Sequence, residues 1–353
     1  MKIADINLTN FMLFEDLNIS WSPNINVICG ENSTGKTTLL KVLYALVKPY
    51  SRKGFLEQTK EQQETAFVSK MTGVFRPDEM KLGRLGTRRT GASKTSVKAT
   101  LEKGGSITMG FSTRSGSHAE LSVKPSSNRK PFDPVYLPPK EMISATEHFQ
   151  SLYEEYHLDF EETYYDLTKL LDKPLKRGAN TAAQNEVLSS FERILDGSIT
   201  QKDKKFFLKV HGSGEFEMGL VSEGYRKLAT IIYLVSSGSL GPNSILFWDE
   251  PETNMNPKMI RPIAEAIATL AKMGVQVFVT THDYFVMQSF NMMASYPNAN
   301  KDALDIRFMS LYKEDSRILC ESGKSLDELT HNAIMEEFDA LYDREQGFIY
   351  GNL

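Results

Sequence analysis

The apolar positions of this chain fall into short runs that alternate with segments of helical spacing, most clearly in the first fifty residues and the last third. Short apolar runs bounded by polar residues predict strands, whereas apolar residues three and four apart predict helices. Strands and helices that alternate in this way are typical of an α/β fold with a mainly parallel central sheet. The predicted strands are residues 1–9, 16–21, 24–29, 134–137, 206–210, 215–221, 244–248, 275–280, 306–312 and 317–321, and the helices that accompany them are residues 37–47, 225–235, 257–272 and 325–344.

The middle of the chain has a different pattern. Residues 50–93 are polar and irregular, and three alternating segments separated by glycines then predict an antiparallel meander between residues 96 and 123. Residues 144–172 and 182–195 have helical spacing. We therefore predict a single domain over residues 1–353, in which 1–50 and 196–353 form the core, 51–140 form an insertion with an antiparallel β region, and 141–195 form a helical lobe.

The composition excludes several classes of protein. The chain has 353 residues, of which 41% are hydrophobic and 24% are charged, and its net charge of −4 gives no general attraction to nucleic acid or anionic membrane. No apolar run approaches the roughly 20 residues of a membrane span, and the N-terminus lacks the apolar core of a signal peptide. The two cysteines, Cys29 and Cys320, lie in unrelated contexts and do not predict a disulfide framework or a zinc site. We expect a cytoplasmic protein with no membrane contact.

The loop after the third predicted strand has the strongest local signature. Residues 30–37 read GENSTGKT, which matches G-x-x-x-x-G-K-[ST] between a strand and a helix. Glycines let backbone N–H groups surround a phosphate, and the helix N-terminus adds the positive end of its dipole. Lys36 is expected to reach the β- and γ-phosphates, and the Thr37 hydroxyl is expected to ligate Mg²⁺. The expected ligands are thus ATP and Mg²⁺, and the expected contacts are Asn32, Ser33, Thr34, Gly35, Lys36, Thr37 and Thr38.

Two further strand ends carry polar residues that fit this chemistry. The apolar run at residues 245–248 ends in Asp249 and Glu250, and the strand at 275–280 is followed by His282. Ligands bind at the C-terminal edge of a parallel sheet, where both strands end. There Asp249 would hold Mg²⁺, Glu250 would act as general base toward the attacking water, and His282 would hydrogen-bond the γ-phosphate or that water. Without the glycine loop upstream, two acids in a turn and a lone histidine would be read as structural.

The segment Ser222-Glu223-Gly224 precedes a helix, and considered alone Ser222 is an ordinary helix N-cap. Together with Gly30–Thr38, the segment DEPETNMN at 249–256 and Thr281-His282, however, it resembles the signature element of ABC-class ATPases. The opening LTNFMLFEDLNI resembles the SMC and RecF-like branch, and VYLPPKEMIS and DEPETNMNP resemble small bacterial AAA-type ATPases of the OLD, Septu, PARIS and retron-associated (anti-phage defence) kind. The resemblance implies an ABC-ATPase head with a mixed central sheet, an antiparallel β subdomain and a short helical lobe.

The resemblance also implies an assembly. In that class two subunits face each other head to tail, so that Ser222 and Gly224 would contact the nucleotide held by the other copy of a homodimer, or of a higher oligomer. Three departures from the family pattern stand out. The signature reads SEGYR, no glutamine fits the loop after the strand at 134–137, and only about 45 residues lie where SMC-like proteins carry long coiled coils.

Two oppositely charged blocks lie in the insertion. Residues 76–103 carry eight basic and three acidic residues, a net +5, and residues 147–172 carry eight acids and one lysine, a net −7. The basic block could contact nucleic acid, although a solvated face is the simpler interpretation, and the aromatic residues of the acidic block are expected to pack within the lobe. The two blocks together could also dock a charged partner.

The expected function is an ATP-hydrolysing switch. The resemblance implies that it controls a separate effector, such as a nuclease or toxin, in a bacterial defence or toxin–antitoxin-like system. About 70 residues follow His282, which we expect leaves no room for the nuclease domain of OLD proteins. The alternatives are a RecF-like DNA repair or recombination ATPase, a scaffold that binds ATP without hydrolysing it, and a transporter ATPase.

Overall fold

The structure is a computed structural model that describes residues 1–127, 129–156 and 158–351. The strands are β1 Ile3–Phe11, β2 Phe14–Ser20, β3 Ile25–Gly30, β4 Lys94–Leu101, β5 Gly105–Ser112, β6 Glu120–Lys124, β7 Pro134–Leu137, β8 Gly197–Lys202, β9 Lys205–Val210, β10 Gly214–Glu217, β11 Ile245–Asp249, β12 Gln276–Thr280, β13 Ile306–Glu314 and β14 Arg317–Gly323. The helices are α1 Lys36–Ser51, α2 Lys60–Phe75, α3 Phe149–Tyr156, α4 Glu162–Leu171, α5 Ala182–Leu195, α6 Glu223–Ser236, α7 Pro257–Met273, α8 Tyr284–Ser295 and α9 Ala333–Tyr350.

The central sheet is mixed, as the sequence predicts. Its strand order is β14-β13-β3-β12-β11-β7, and every neighbouring pair is parallel except β13 and β14. All residues of β3, β11 and β12 are buried, because helices cover both faces of the sheet. The parallel strands therefore all end at one edge, where β3 leads into the glycine loop and β11 ends at Asp249.

The position of β7 differs from the one that the sequence predicts. Strand β7, which the sequence places in the insertion, lies beside β11 in the central sheet, with Ile245 opposite Pro134 and Trp248 opposite Leu137. All four residues of β7 are buried. The strand therefore buries more apolar surface in the central sheet, which is covered on both faces, than it would in the antiparallel sheet, which has one face toward solvent.

The antiparallel subdomain is a five-stranded sheet of order β2-β1-β4-β5-β6. The meander of β4, β5 and β6 agrees with the prediction, but β1 and β2, which were expected in the core, belong to this sheet as well. Leu8 pairs with Val97 across β1 and β4, and both are buried in one cluster with Leu40 of α1. The alternating pattern of residues 1–20 thus reflects a sheet with one face on the core and one face toward solvent.

Four elements differ from the sequence prediction. The polar stretch expected to be irregular contains α2, whose N-terminus has a capping box of Thr59 and Gln62, and whose side chains Phe67 and Met71 are buried. This helix was not predicted because its apolar periodicity is weak. One of its buried positions is the charged residue Lys70, which interrupts the apolar stripe. Strand β8 and helix α8 were not predicted, and α9 begins at residue 333 rather than 325.

The helical lobe consists of three short helices in place of the two predicted. The helix expected over 144–172 is divided into α3 and α4, and residue 157 within it lies outside the described residues. The aromatic side chains pack within the lobe as expected, since the Tyr153 and Tyr165 rings stack 4.6 Å apart and Phe149 meets Phe160 edge-on at 5.3 Å. The longest of these three helices, α5, has 14 residues, so the described residues of the lobe form no long coiled-coil arm.

Candidate nucleotide site

The glycine loop joins β3 to α1 at the C-terminal edge of the central sheet. Gly30 has φ 142°, and a Cβ there would lie 2.2 Å from the carbonyl oxygen of Leu311, so only glycine allows this close approach of two strands. Gly35 has φ 95° at the N-cap of α1, and a Cβ there would lie 2.6 Å from the Phe14 ring. These two positions leave the backbone between them free to form an open turn beneath the helix N-terminus.

The Lys36 side chain lies inside this turn. Its Nζ atom donates to the carbonyl oxygens of Gly30 at 2.7 Å and Glu31 at 2.9 Å, and the Thr34 hydroxyl donates to Glu31 O at 2.8 Å. Burial lowers the pKa of Lys36, and the nearby carboxylates of Glu250 and Asp249 oppose that shift. The ammonium is therefore fixed at the centre of the loop, while Asn32 and Ser33 at its tip are exposed.

The Asp249 carboxylate lies at the end of β11 and is completely buried. Its Oδ1 atom accepts hydrogen bonds from the hydroxyls of Thr280 at 2.6 Å and Thr37 at 3.0 Å, and its Oδ2 atom accepts one from Tyr136 at 3.0 Å. Burial raises the pKa of Asp249, and the three hydroxyl donors partly offset that rise by stabilising the carboxylate.

This donor set fits Mg²⁺. The Thr37 and Asp249 oxygens that the sequence assigns to the metal are 3.0 Å apart, and hard oxygen ligands are the ones that Mg²⁺ prefers. Among the described residues no group of three or more histidine, cysteine, aspartate or glutamate side chains could hold a metal. A site with a single carboxylate and a hydroxyl is typical of Mg²⁺ that is bound together with substrate phosphates.

Glu250 follows in a conformation that is unusual for a residue with a side chain. Its φ is 49°, and its N–H donates to Thr280 O at 3.2 Å. Such backbone strain costs about 1–3 kcal/mol and is common at functional sites. The turn directs the Glu250 carboxylate toward His282, whose Nδ1 lies 3.3 Å from Glu250 Oε1, and both side chains are partly exposed.

Four residues that the sequence analysis did not single out hold these groups in place. Glu252 Oε1 accepts from the Thr281 hydroxyl at 2.7 Å and from the His282 N–H at 3.2 Å, which orients the histidine. Lys227 Nζ donates to the carbonyl oxygens of Glu250 and Thr253, at 3.2 and 3.0 Å. The other two are Tyr136 and Thr280, which bond Asp249. Tyr136 and Thr280 could have been found from the sequence, because each is a polar residue near the end of a predicted strand. Nothing in the sequence marks Lys227.

The signature segment forms the start of α6 and contacts the loop after β11. Ser222 occupies the N-cap position, but its side chain makes no capping hydrogen bond and is exposed. A Cβ at Gly224 would lie 3.1 Å from Met255, and Glu223 Oε2 accepts a hydrogen bond from Asn254 at 2.8 Å. Within the described part of the chain, no hydrogen bond joins Ser222 or Gly224 to the glycine loop of the same subunit.

The loop after β7, where no glutamine was found, holds Glu141 instead. Its carboxylate is buried, accepts a hydrogen bond from the Arg226 guanidinium at 2.7 Å and also accepts one from the Ser144 hydroxyl at 2.5 Å. The loop is thus tied to the first turn of α6.

The structure brings together five of the predicted site residues at one sheet edge, namely Lys36, Thr37, Asp249, Glu250 and His282. It leaves Ser222 and Gly224 on α6.

Family models account for most of the chain. Residues 107–288, just over half of the 353, match the family described as "AAA domain, putative AbiEii toxin, Type IV TA system". The chain belongs to this AAA ATPase family. Residues 1–85 match a second model, described as "AAA ATPase domain".

Curated relatives resemble a short segment only. The DNA replication and repair protein RecF of Bacillus cytotoxicus is 43% identical over 53 residues, which is 15% of this chain and 14% of that protein. The RecF protein of Halalkalibacterium halodurans is 33% identical over 75 residues, which is 21% of this chain and 20% of that protein. The match therefore spans no more than about a fifth of the relatives' own length.

Solved structures share the fold over nearly the whole chain. An SMC head bound to the C-terminal winged-helix domain of ScpA superposes with a TM-score of 0.56 at 13% identity, and covers 93% of this chain and 99% of that one. A Pyrococcus furiosus SMC head bound to the C-terminal domain of ScpA has a TM-score of 0.52 at 12% identity, and covers 96% and 99%. The fold is an SMC/RecF-like ABC-ATPase head, as the sequence resemblance implied. No helix of the described residues is long and apolar enough to cross a membrane.

Proposed function

We propose that this protein binds MgATP at the glycine loop and hydrolyses it between two copies of itself, as a switch that controls a separate effector. The proposal rests on one observation. The Thr37 hydroxyl lies 3.0 Å from Asp249 Oδ1, and beside this pair His282 Nδ1 lies 3.3 Å from Glu250 Oε1. Residues that are distant in the sequence thus provide a metal site, a base and a hydrogen-bonding partner at the same sheet edge.

Each side chain has a distinct role in this proposal. Lys36 and the N–H groups of residues 32–38 bind the phosphates, and Thr37 with Asp249 holds Mg²⁺, which neutralises phosphate charge when bound. Glu250 takes a proton from the attacking water, and the backbone strain and the Lys227 contact fix its position. His282, oriented by Glu252, hydrogen-bonds the γ-phosphate or the same water.

The second copy completes the site. The hydroxyl of Ser222 is exposed and is not used as a helix cap, so it can bind a phosphate that another subunit presents to the N-terminus of α6. Gly224 allows the close packing that places this helix end beside Asn254 and Met255. This arrangement supports a head-to-tail homodimer.

A mixing experiment tests this arrangement. Ser222→Arg should retain ATP binding and lose hydrolysis, and Lys36→Ala should lose both. A mixed dimer retains one site in which neither substitution is present, so random mixing should restore about a quarter of wild-type turnover. Each variant alone serves as the control. If mixing restores nothing, or if a folded Ser222→Arg protein hydrolyses ATP normally, the head-to-tail model is wrong.

The effector part of the proposal rests on the family. The matched family is described as a putative toxin of a type IV toxin–antitoxin system, which supports a defence or toxin–antitoxin-like role for the ATPase. The solved SMC heads bind a separate protein, ScpA, which supports a protein partner as well. A nucleotide-dependent change of dimer geometry would alter effector affinity, and effector binding would alter ATP affinity to the same extent.

A RecF-like role on DNA is the second candidate, and one observation favours it. A cleft between residues 81–91 and 113–116 is lined by five basic side chains and no acidic one, namely Lys81, Arg84, Arg88, Arg89 and Arg114. Arg84 and Arg89 form ion pairs with Asp78 and Glu15, whereas Arg88 and Arg114 have no ion pair within the described residues. Such a cleft can bind phosphates of a nucleic-acid backbone.

The DNA role has its own test. Replacing both Arg88 and Arg114 by alanine should weaken duplex DNA binding. It should also reduce the slope of the logarithm of the binding constant against the logarithm of salt concentration by about two. The control Lys124→Ala should change neither the affinity nor the slope. DNA that neither binds nor stimulates the wild-type ATPase would rule out this candidate and leave the switch proposal intact.

A further inference from the structure

The acidic block of the insertion, residues 147–172, is largely used within the chain. Lys70 of α2 forms ion pairs with Glu162 and with Asp166, the latter at 2.8 Å, and Arg76 pairs with Asp159 at 2.9 Å. Lys41 binds Glu161 at 2.5 Å. Acids of the 147–172 block therefore hold α4 against α1 and α2, and these four acids are not free to dock a charged partner.

A different surface is apolar and uncovered. Among the described residues, nine of the 17 exposed large apolar side chains lie on α8, at its C-cap or on α9. They are Phe285, Met292, Tyr296, Phe338, Leu341, Tyr342, Phe348, Ile349 and Tyr350. Concentrated apolar exposure of this kind marks interaction sites.

Helix α9 carries most of this patch, and none of its residues is buried. It is held to the core by its first turns, where Phe338 stacks on Tyr284 at 4.6 Å and Met335 Sδ accepts from Gln288 at 3.8 Å. Beyond that point Leu341 and Phe348, seven residues apart, lie on one face of the helix, and their exposed fractions are 56% and 70%. A helix that packs on nothing is normally polar on all sides, so this face is built to be covered.

We propose that α9 is a docking helix that inserts into an apolar groove bordered by basic residues on the effector protein. Charge complementarity identifies the occupant. Besides its apolar face, α9 carries Glu336, Glu337, Asp339, Asp343 and Glu345 against Arg344 alone, which is five acids and one base, or −4. A second copy of α9, or an anionic membrane, would bring like charges together at this face, whereas lysines and arginines around a groove would pair with them.

The same helix is connected to the nucleotide site. His282 lies two residues before α8, Asp283 caps that helix by accepting the Val286 N–H at 2.8 Å, and Tyr284 in its first turn carries the stacked ring of Phe338. A shift of His282 with the nucleotide state would therefore move the base of α9. This regulation rests on the proposed function, but the docking face itself does not.

The test uses the full-length protein and two labelled amphipathic helical peptides, one of leucine and lysine and one of leucine and glutamate, in fluorescence anisotropy. The leucine–lysine peptide should bind the wild-type protein, and Leu341→Asp with Phe348→Asp should weaken it about tenfold or more. Leu175→Asp is the matched control, because Leu175 is 52% exposed and lies between α4 and α5. It should leave binding unchanged.

Four outcomes would overturn the docking helix. Equal affinity for both peptides would show that the face does not select basic partners, and unchanged affinity in the α9 variants would show that α9 is not the site. Sedimentation velocity that shows a nucleotide-free dimer lost in the α9 variants would make a second copy the occupant. Binding of neutral phosphatidylcholine vesicles through the same residues would make it a lipid surface. If the α9 variants lose binding while affinity is identical with ATP and ADP, docking stands and the proposed switch fails.

Discussion

The Tyr136 hydroxyl beneath the proposed Mg²⁺ site gives the sharpest test of how the sheet edge is built. Tyr136 and Asp249 are both almost completely buried, and the Tyr136 hydroxyl donates to Asp249 Oδ2 at 3.0 Å. In the Tyr136→Phe protein the ring and its packing are retained, and only this hydrogen bond is lost. A hydrogen bond to a charged group contributes about 1.5–3 kcal/mol, so we expect the free energy of unfolding to fall by about that amount at neutral pH.

The same substitution should change the pH dependence of MgATP binding. Burial already raises the pKa of Asp249 above its ordinary 3.8, and the Tyr136 hydroxyl opposes that rise, so its removal should raise the pKa further. A raised carboxyl pKa stabilises the fold most below pH 3.8, and this contribution is lost as the pH rises through the folded-state pKa. Since Mg²⁺ requires the carboxylate, Mg²⁺-dependent ATP binding should begin at a higher pH in the variant.

Tyr44→Phe is the matched control. The Tyr44 hydroxyl is equally buried and donates to another carboxylate, Asp166 Oδ2, at 2.6 Å, but that carboxylate lies in the cluster with Lys70. Urea unfolding should show similar losses of stability for the two variants, and calorimetric titration with MgATP across pH should separate them. The reasoning is refuted if Tyr136→Phe binds MgATP with the wild-type pH profile, or if Tyr44→Phe shifts that profile equally.

Three further experiments, two with variants and one on the unchanged protein, have clear expected results. Lys36→Ala should abolish ATP binding in calorimetry and keep the wild-type circular dichroism, and unchanged affinity would exclude the phosphate role of Lys36. Glu250→Gln should bind ATP as a more stable dimer and lose about 10²–10⁴-fold in turnover, whereas the control Glu265→Gln, at an exposed position of α7, should turn over normally. A Glu250→Gln protein with normal turnover would exclude Glu250 as the base. Burial raises the pKa of Cys29 to about 11 and that of the partly buried Cys320 to about 12. Neither thiol should therefore react quickly with iodoacetamide at pH 8 until the protein unfolds, and rapid labelling of the native protein would contradict these raised pKa values.

The sequence by itself determined the fold class and the residues with the strongest local requirements. A glycine loop between a strand and a helix is a local pattern, and so are acids directly after an apolar strand. Each is set by the backbone conformation of a few consecutive residues rather than by distant contacts. For the same reason the strands β3, β11 and β12 could be placed within one residue or so of their observed bounds. The motif residues of the glycine loop, β11 and β12 are the ones that the structure brings to one sheet edge, whereas Ser222 and Gly224 stay on α6.

Only the tertiary structure decided which strands pair and which polar groups support the site. Alternation in residues 1–20 predicts strands, but their partner β4 lies far along the chain, and pairing between distant strands leaves no local mark. Tyr136, Thr280, Glu252 and Lys227 are likewise ordinary in sequence, and they become important because burial makes every unpaired polar atom costly and thus selects hydrogen-bond partners from distant segments. The apolar face of α9 is also decided by the tertiary structure. An apolar stripe on a helix predicts burial, and only the packed chain shows that no residue of α9 is buried by the described residues.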